Sequence, residues 1–202
     1  MSQENVEIVR GVRIALPPLS ERASQRRTLD ERLYVRFPVL YRRFAERVTQ
    51  LPVGSRVRRL VLTRIIRRFT AAINRRDFEV VFLGLDPGIE YRPSADLMPP
   101  DSEAVSHGHG GYREGLRQLI DSFEDLRVEP KEVFDFGDRL VAITQFGGHG
   151  SGSGVPANLT TFALIKLRQG LVVWQEDFSD RSKALEAAAQ REEALEAAGL
   201  RE

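Results

Sequence analysis

The chain has 202 residues, a length that suits one domain of ordinary size with an appendage. Apolar residues make up 42% of it and charged residues 29%, enough for a core and a charged surface. The lack of cysteine excludes disulfides, thiolate nucleophiles and cysteine metal sites. No apolar run reaches the roughly eighteen residues of a membrane-spanning helix. The polar, acidic start argues against a secretory signal, so we expect a cytoplasmic protein.

The net charge of +1 hides an asymmetry along the chain. From Glu21 to Arg76 there are 16 arginines and no lysine against four acidic residues. From Asp77 to Glu202, 23 acidic residues outnumber 12 basic ones. Two regions of opposite charge either attract each other or serve different partners.

The basic region is predicted to be helical. Residues 1–10 are typical of a short helix, which the two prolines after Leu16 end. A capping box that starts at Thr28 begins a helical stripe, and Pro38 must kink or restart that helix. Ser55 can cap the next helix. The apolar stripes of the two helices are Leu33, Phe37, Leu40, Tyr41, Phe44, Val48 and Leu51, then Val57, Val61, Leu62, Ile65, Ile66, Phe69, Ala72 and Ile73.

Three interpretations of this arginine-rich region stay open. It can be a solvated basic surface that covers the acidic part of the chain. It can be an amphipathic surface on an anionic membrane, because arginine stems widen the apolar face of a helix. It can also neutralise phosphates of a nucleic acid. The lack of a recognised zinc-finger, basic-zipper or RNA-binding motif argues against nucleic acid.

After the basic region the signals indicate a mixed α+β unit. Asp77 can cap a helix over residues 78–85, which Pro87 stops, and residues 89–93 alternate as a strand should. A loop rich in proline and glycine leads to a helix over residues 112–124. The remaining predicted elements are strands over 127–136, 139–147, 155–168 and 171–178, and a helix that Asp180 caps and Gly199 ends.

Several segments in this order carry a family resemblance. They read Asn74-Arg-Arg-Asp-Phe, Leu85-Asp-Pro-Gly-Ile-Glu-Tyr-Arg-Pro, Phe123-Glu-Asp-Leu-Arg-Val-Glu-Pro, Gly137-Asp-Arg and Glu193-Ala-Leu-Glu-Ala-Ala-Gly-Leu. With them, the chain resembles the SnoaL-like polyketide-cyclase family of the nuclear transport factor 2-like superfamily. Its first residues, Met1-Ser-Gln-Glu-Asn-Val-Glu, are also similar to the usual start of that family.

The resemblance implies a fold class and a division of the chain. The fold is α+β, a cystatin-like cone in which a curved, mixed or antiparallel sheet wraps around helices. Residues 1–72 form an extra N-terminal helical segment, and residues 73–202 form the cone. Roughly residues 11–64 are an insertion relative to typical members. Because such cones often pair through the outer face of the sheet, the resemblance also implies a homodimer.

The resemblance singles out Asp177 as the candidate catalytic residue. Cyclases of this family use an acidic residue on the last strand as acid and base in an aldol closure. Their pattern Gly-x-Ile-Val-x-His-Trp-Asp-x-x-Asp aligns without gaps with residues 170–180, but Gln175 replaces the His and Glu176 replaces the Trp. Glutamine can hydrogen-bond but cannot shuttle a proton. Asp177 is therefore expected to be the acid/base, a pocket-lining group or a solvent-facing strand residue, and burial would raise its pKa.

The histidines give a weaker prediction. His109 matches the Arg-Gly-His-x-Gly loop of the family at the pocket mouth, where it would hydrogen-bond a ligand; the alternative is an ordinary loop histidine. His107, His109 and His149 are the complete set, and a three-histidine zinc site is conceivable. Nothing in their spacing requires one, so neither a metal nor another cofactor is predicted.

Large side chains on the predicted cone elements complete the candidate substrate-binding set of Gln175, His109, Tyr91, Trp174 and Tyr112. Aromatic residues at such positions serve either as core or as ligand contacts. Tyr91 is the candidate for a proton donor opposite the base, which a ketosteroid isomerase-like site requires.

The expected function is a pocket for an apolar or polycyclic small molecule. The protein would then bind that ligand or act on it as a cofactor-independent cyclase, isomerase or hydrolase. The alternative is a non-catalytic binding or dimerisation module whose basic helices contact a membrane or an acidic partner.

Overall fold

The computed structural model describes residues 11–21, 25–94, 105–184 and 186–187. The strands are β1 Val12–Ala15, β2 Leu85–Arg92, β3 Ser106–His107, β4 Arg127–Asp135, β5 Arg139–His149, β6 Pro156–Arg168 and β7 Leu171–Phe178. The helices are α1 Leu29–Arg36, α2 Pro38–Thr49, α3 Arg56–Asn74, α4 Phe78–Phe82 and α5 Gly108–Asp121. The seven strands form one curved sheet in the order β1-β4-β5-β6-β7-β2-β3. Only β2 and β7 pair in parallel, so the sheet is mixed. The predicted α+β cone is confirmed.

Local signals place the helix starts as the sequence predicts. The Thr28 hydroxyl accepts from the Glu31 amide while the Glu31 carboxylate accepts from the Thr28 amide, so the capping box is complete. Pro38 starts α2, because its missing amide hydrogen is needless in a first turn. Ser55 caps α3 and Asp77 caps α4.

The structure corrects three predicted elements. Val12–Ala15 is a strand, because it pairs with β4 at the edge of the sheet and buries Ile14 on the core cluster there. The helix predicted over 78–85 ends at Phe82, and β2 begins at Leu85 rather than at Ile89, since Leu85 pairs with Val172 of β7. The helix predicted over 112–124 already begins at Gly108, after an extended N-cap residue.

Some predictions lie outside the described residues. They are the helix over residues 1–10, the Pro99-Pro100 part of the loop and the end of the last helix at Gly199. The predicted cap of that helix is present, because the Asp180 carboxylate accepts from the Lys183 amide at 3.0 Å.

A buried ion pair fastens the basic region to the sheet. The Arg58 and Asp135 side chains are both 1% exposed, with Nε to Oδ2 at 2.7 Å and Nη2 to Oδ1 at 2.9 Å. Arg58 Nη1 also donates to the carbonyls of Thr49 at 2.8 Å and Leu51 at 3.1 Å. One guanidinium therefore joins the end of α2, the start of α3 and the end of β4.

Further arginines of the basic region are internal as well. The Arg75 guanidinium lies 3.1 Å from the carboxylate of Glu31, and both side chains are buried. Arg68 pairs with Asp30 and lies over the Tyr34 ring at 5.4 Å. The view of this region as a solvated basic surface thus fails for these arginines, because they bind acidic residues within the protein.

Candidate functional site

The concave face of the sheet and the helices enclose a cavity of about 160 Å³. Alternate residues on β5 and β6 point into it, because successive side chains of a strand point to opposite faces. Helices α2, α3 and α5 supply the other walls. The lining is mostly apolar, and its polar members include Asp177, Gln175, Tyr91, Tyr112, Thr161, Tyr41 and Arg68. A cavity of this kind suits a small apolar ligand.

The Asp177 side chain lies in the cavity wall with both carboxylate oxygens engaged. Gln175 Nε2 donates to Oδ1 at 2.8 Å, and Tyr91 Oη donates to Oδ2 at 2.8 Å. Gln175 shares a face of β7 with Asp177, and Tyr91 is the parallel partner of Gln175 on β2. Each carboxylate oxygen accepts at two lone-pair sites, so one site on each oxygen stays available to a ligand.

Burial sets the protonation of this group. Removal from water disfavours the carboxylate and raises the pKa of Asp177 to about 6, although the hydrogen bonds from Gln175 and Tyr91 oppose the shift. The negative charge of Glu176 adds a smaller upward contribution to the pKa. Asp177 can therefore take up and release a proton near neutral pH, which is what a general acid/base needs.

Two tyrosines and the glutamine extend this arrangement into a chain. Tyr112 Oη donates to Gln175 Oε1 at 3.3 Å, which orients the amide so that its nitrogen faces Asp177. The Tyr91 and Tyr112 rings pack with centroids 4.8 Å apart. Burial raises the pKa of both tyrosines, so both hydroxyls stay protonated and act as donors.

The structure thus brings together Asp177, Gln175, Tyr91 and Tyr112, and it separates the other two candidates from them. His109 stacks on Phe82 with centroids 4.5 Å apart, and its Nε2 lies 3.1 Å from the Leu85 carbonyl oxygen. It is not part of the cavity lining.

Trp174 points to the convex face of the sheet, where it packs against Phe134, Val141 and Leu164. Trp174 is not part of the cavity lining. Tyr91 donates a hydrogen bond to the Asp177 carboxylate, so it lies beside the candidate base and not opposite it.

Four wall residues from the basic region were not among the predicted site residues. Tyr41 of α2, together with Leu62, Ile65 and Phe69 of α3, lines the cavity. All four stand on the apolar stripes of the two helices, so the helical period was the signal that marked them. The helical period does not predict which part of the sheet each stripe contacts.

The histidines form no metal site in the part of the chain that the structure describes. Those residues contain no group of three or more histidine, aspartate or glutamate side chains placed to hold a metal ion. His107 is exposed on β3, and the His149 ring lies 3.0 Å from the Asp125 carboxylate near the β5–β6 turn. Among the described residues, no helix combines the length and hydropathy needed to span a membrane.

The curved mixed sheet around helices is a fold that this chain shares with nuclear transport factor 2-like structures. The SnoaL-like domain family matches residues 66–175, just over half of the chain. The chain belongs to that family. Asp177 and helix α2 both lie outside the matched residues.

Several solved structures share this fold. One is a nuclear transport factor 2-like protein of unknown function from Burkholderia pseudomallei, with 22% identity over 61% of this chain and 93% of that chain, at a TM-score of 0.52. Another is TerC co-crystallised with polyporic acid, with 24% identity over 61% of this chain and 96% of that chain, at 0.52. A third is a loop-truncation variant of IdmH, with 18% identity over 61% of this chain and 95% of that chain, at a TM-score of 0.50. At these identities the likeness shows the fold alone. No curated protein matches the sequence.

Proposed function

We propose that the protein binds a small, mostly apolar molecule in the cavity and acts on it as a cofactor-independent isomerase or cyclase with Asp177 as acid/base. The observation that carries this proposal is the carboxylate of Asp177 in the cavity wall, with a pKa of about 6 and donors on both oxygens.

The chemistry follows from the free lone pairs of Asp177. The ionised carboxylate removes a proton from a carbon next to a carbonyl group, and the electron pair of the broken C–H bond moves into an enolate. The protonated carboxyl then returns that proton to another atom of the same molecule, which completes an isomerisation. In a cyclisation the enolate carbon instead attacks a second carbonyl carbon, and the new alkoxide takes the proton. Neither route consumes a co-reactant.

The neighbouring residues have supporting roles in this proposal. Gln175 and Tyr91 hold the carboxylate in place, and Tyr112 fixes the Gln175 amide. Because Gln175 cannot carry a proton, it positions the base without taking part in transfer. His109 would act on the site only through its contact with the first residue of β2.

Deuterium exchange tests the proposal without knowledge of the substrate. The protein is incubated with cyclohexanone, acetophenone or 2-decanone in D₂O, and NMR follows the loss of the α-proton signal. Asp177→Asn keeps the side-chain shape but removes the base, so we expect the catalysed exchange to fall roughly 10²–10⁴-fold. Equal exchange rates in the native protein and this variant, or none above buffer in the native protein, would sink the enzymatic proposal.

A second candidate function rests on exposed apolar side chains in the basic region. Nine large hydrophobic side chains are exposed among the described residues, and eight of them lie between Leu29 and Leu60. Leu33 is 47% exposed and Phe37 is 51% exposed, and the Arg36 guanidinium lies 6.0 Å from the Phe37 ring centroid. Apolar side chains among arginines suit the surface of an anionic bilayer.

Co-sedimentation with phosphatidylserine-containing vesicles tests this candidate. We expect the double variant Leu33→Ser/Phe37→Ser to lose most of the binding, while Val155→Ser, an exposed apolar residue outside the basic region, leaves it unchanged. Binding that survives the double variant argues against these side chains as the membrane contact, and no binding by the native protein argues against a membrane partner. A deletion of the whole region would be uninformative, because Arg58 and part of the cavity wall lie within it.

A homodimer and a cytoplasmic location complete the proposal. The convex face of the sheet carries an apolar cluster around Trp174, Phe134 and Leu164, against which Ala187 packs. Light scattering at several concentrations tests the dimer, and a monomer at all of them contradicts it.

A further inference from the structure

The cavity is long and narrow. On β5 its lining runs from Leu140 to Phe146, and on β6 from Thr161 to Leu167. Each stretch spans six steps of about 3.3 Å, so the lined length is about 20 Å. The volume is only about 160 Å³. Pockets for drug-sized ligands measure about 300–1,000 Å³. A small volume along a long wall leaves a slender space.

The two ends of this space are built by different parts of the chain. Asp177 lies near the end of β7, and Gly170 precedes the start of that strand. Helix α2 closes the Gly170 end, because a Cβ on Gly170 would lie 2.3 Å from the backbone carbon of Ala45. Asp177 and the inserted helix therefore lie at opposite ends of the cavity.

The end closed by α2 contains a hydroxyl group with no protein partner. Tyr41 is 4% exposed and lines the cavity, and its hydroxyl oxygen lies beside Gly84, another lining residue. No hydrogen bond joins that hydroxyl to any other residue of the part that the structure describes. The hydroxyls of Thr70 and Thr161, by contrast, donate to backbone carbonyls.

A hydroxyl that lines a cavity and has no protein partner can donate its proton to a ligand there. Burial raises the pKa of Tyr41 to about 12, so the hydroxyl keeps its proton. Of the other polar groups of this wall, the Arg68 guanidinium pairs with Asp30, and the Thr49 and Thr70 hydroxyls donate to backbone carbonyls. Tyr41 is thus the hydroxyl at this end that is free to donate to a ligand oxygen.

We infer that the cavity takes an elongated, slender molecule, one ring or one unbranched chain wide, whose distal oxygen accepts a hydrogen bond from Tyr41 while its other polar end lies at Asp177. This inference rests on the proposed function for the Asp177 end only. It makes Tyr41, a residue of the insertion, a ligand-binding residue. It replaces the polycyclic ligand that the sequence analysis allowed, because fused rings are too wide.

Calorimetric titration with 1,10-decanediol, 1-decanol and 17β-estradiol tests the inference. The native protein should bind the diol and the alcohol but not the fused-ring steroid. Tyr41→Phe removes only the hydroxyl, so diol affinity should fall roughly 3–10-fold while decanol affinity stays within about twofold. Tyr34→Phe is the matched control, because the Tyr34 ring packs on Tyr41 at 5.4 Å without lining the cavity.

Tight steroid binding, no diol binding by the native protein, or equal effects of Tyr41→Phe on diol and decanol would each overturn the inference. If Tyr41→Phe does not fold, contacts between the terminal methylene of the diol and the Tyr41 ring, seen as NOEs in the native protein, take its place. The absence of these NOEs would then overturn the inference. The catalytic proposal fails separately, when Asp177→Asn leaves deuterium exchange in 2-decanone unchanged.

Discussion

The two ends of the cavity differ in how their polar groups are used. At the Asp177 end, Tyr91, Gln175 and Tyr112 form a chain in which every donor has an acceptor within the protein. At the other end, the walls are mostly apolar and the Tyr41 hydroxyl has no partner among the described residues. On the proposed function, the Asp177 end carries the reactive group, whereas helices α2 and α3 shape the space that a ligand enters.

This comparison also explains where the arginines lie. Helices α2 and α3 form a wall of the cavity, and Arg58 and Arg75 fasten this region from buried positions. At the other end, Asp177, Gln175 and Tyr91 lie on the adjacent strands β7 and β2 and need no such attachment.

The largest effect is expected from loss of the Arg58 ion pair. Arg58→Leu leaves the Asp135 carboxylate buried without its cation, so the free energy of unfolding should fall by about 3–5 kcal/mol. Urea denaturation measures it. Arg59→Leu, an exposed neighbour on the same helix, should change it by less than about 0.5 kcal/mol. Similar midpoints for the two variants would mean that the insertion is not held by this pair.

At the acidic end, stability should depend on the protonation of Asp177. Its folded pKa of about 6 lies above the ordinary aspartate value of 3.8, so the folded state binds this proton more tightly than the unfolded state. The resulting stabilisation is full below pH 4 and is lost as the pH rises through 6. It amounts to about 3 kcal/mol.

Asp177→Asn removes this dependence, so the stability difference between the variant and the native protein should shift in favour of the variant between pH 4 and pH 7. Urea midpoints at several pH values measure it. Because both proteins share every other titrating group, the difference isolates Asp177. A difference that stays constant with pH would mean that the carboxyl group is not desolvated.

Close contact between α2 and the last hairpin gives a third test. Gly170 has φ of +79°, and an added Cβ would meet the Ala45 backbone. Gly170→Ala should therefore cost about 2–3 kcal/mol, from backbone strain and overpacking together. Gly152→Ala is the control, because Gly152 has φ of +74° but nothing within 4 Å of the added carbon. Equal costs would leave no role for the contact with α2.

The pairing of Gln175 with Asp177 could be predicted from the sequence, because residues two apart on a strand share a face. Which face lines the cavity could not. Val172, Gln175 and Asp177 all line it although Val172 and Gln175 are three apart, since the register shifts between β6 and β7 at this point. The strand is also apolar on both faces, so Trp174 gave no signal that it points outward.

Tyr41 was beyond prediction for a different reason. Its position on the apolar stripe of α2 predicts that it is buried, and Tyr41 is indeed buried. Its place in the cavity depends on how α2 docks against Gly170 and β7, a contact between segments far apart in the chain. Such docking leaves no local pattern, and α2 lies outside the residues that the family shares. The cone and its last strand, by contrast, follow from periodicity and turn residues.

The smallest expected effect concerns the outer link of the Asp177 chain. Tyr112 does not contact Asp177; it fixes the amide of Gln175 through a bond of 3.3 Å. In Tyr112→Phe the amide is free to rotate, and the Asp177 Oδ1 then loses its donor for part of the time. Since that bond lowers the pKa of Asp177, its pKa should rise by a few tenths of a unit, as a bond of about 1 kcal/mol allows when partly lost.

NMR titration of the Asp177 carboxyl carbon measures this shift. Tyr34→Phe also removes a hydroxyl but lies outside the hydrogen-bonded group around Asp177, so it should leave the pKa of Asp177 unchanged. Deuterium exchange in Tyr112→Phe should keep the native maximum rate with its pH profile displaced upward, because the base itself is intact. A lower rate with an unmoved profile would mean that Tyr112 contacts the ligand directly, and the chain would then end at Gln175.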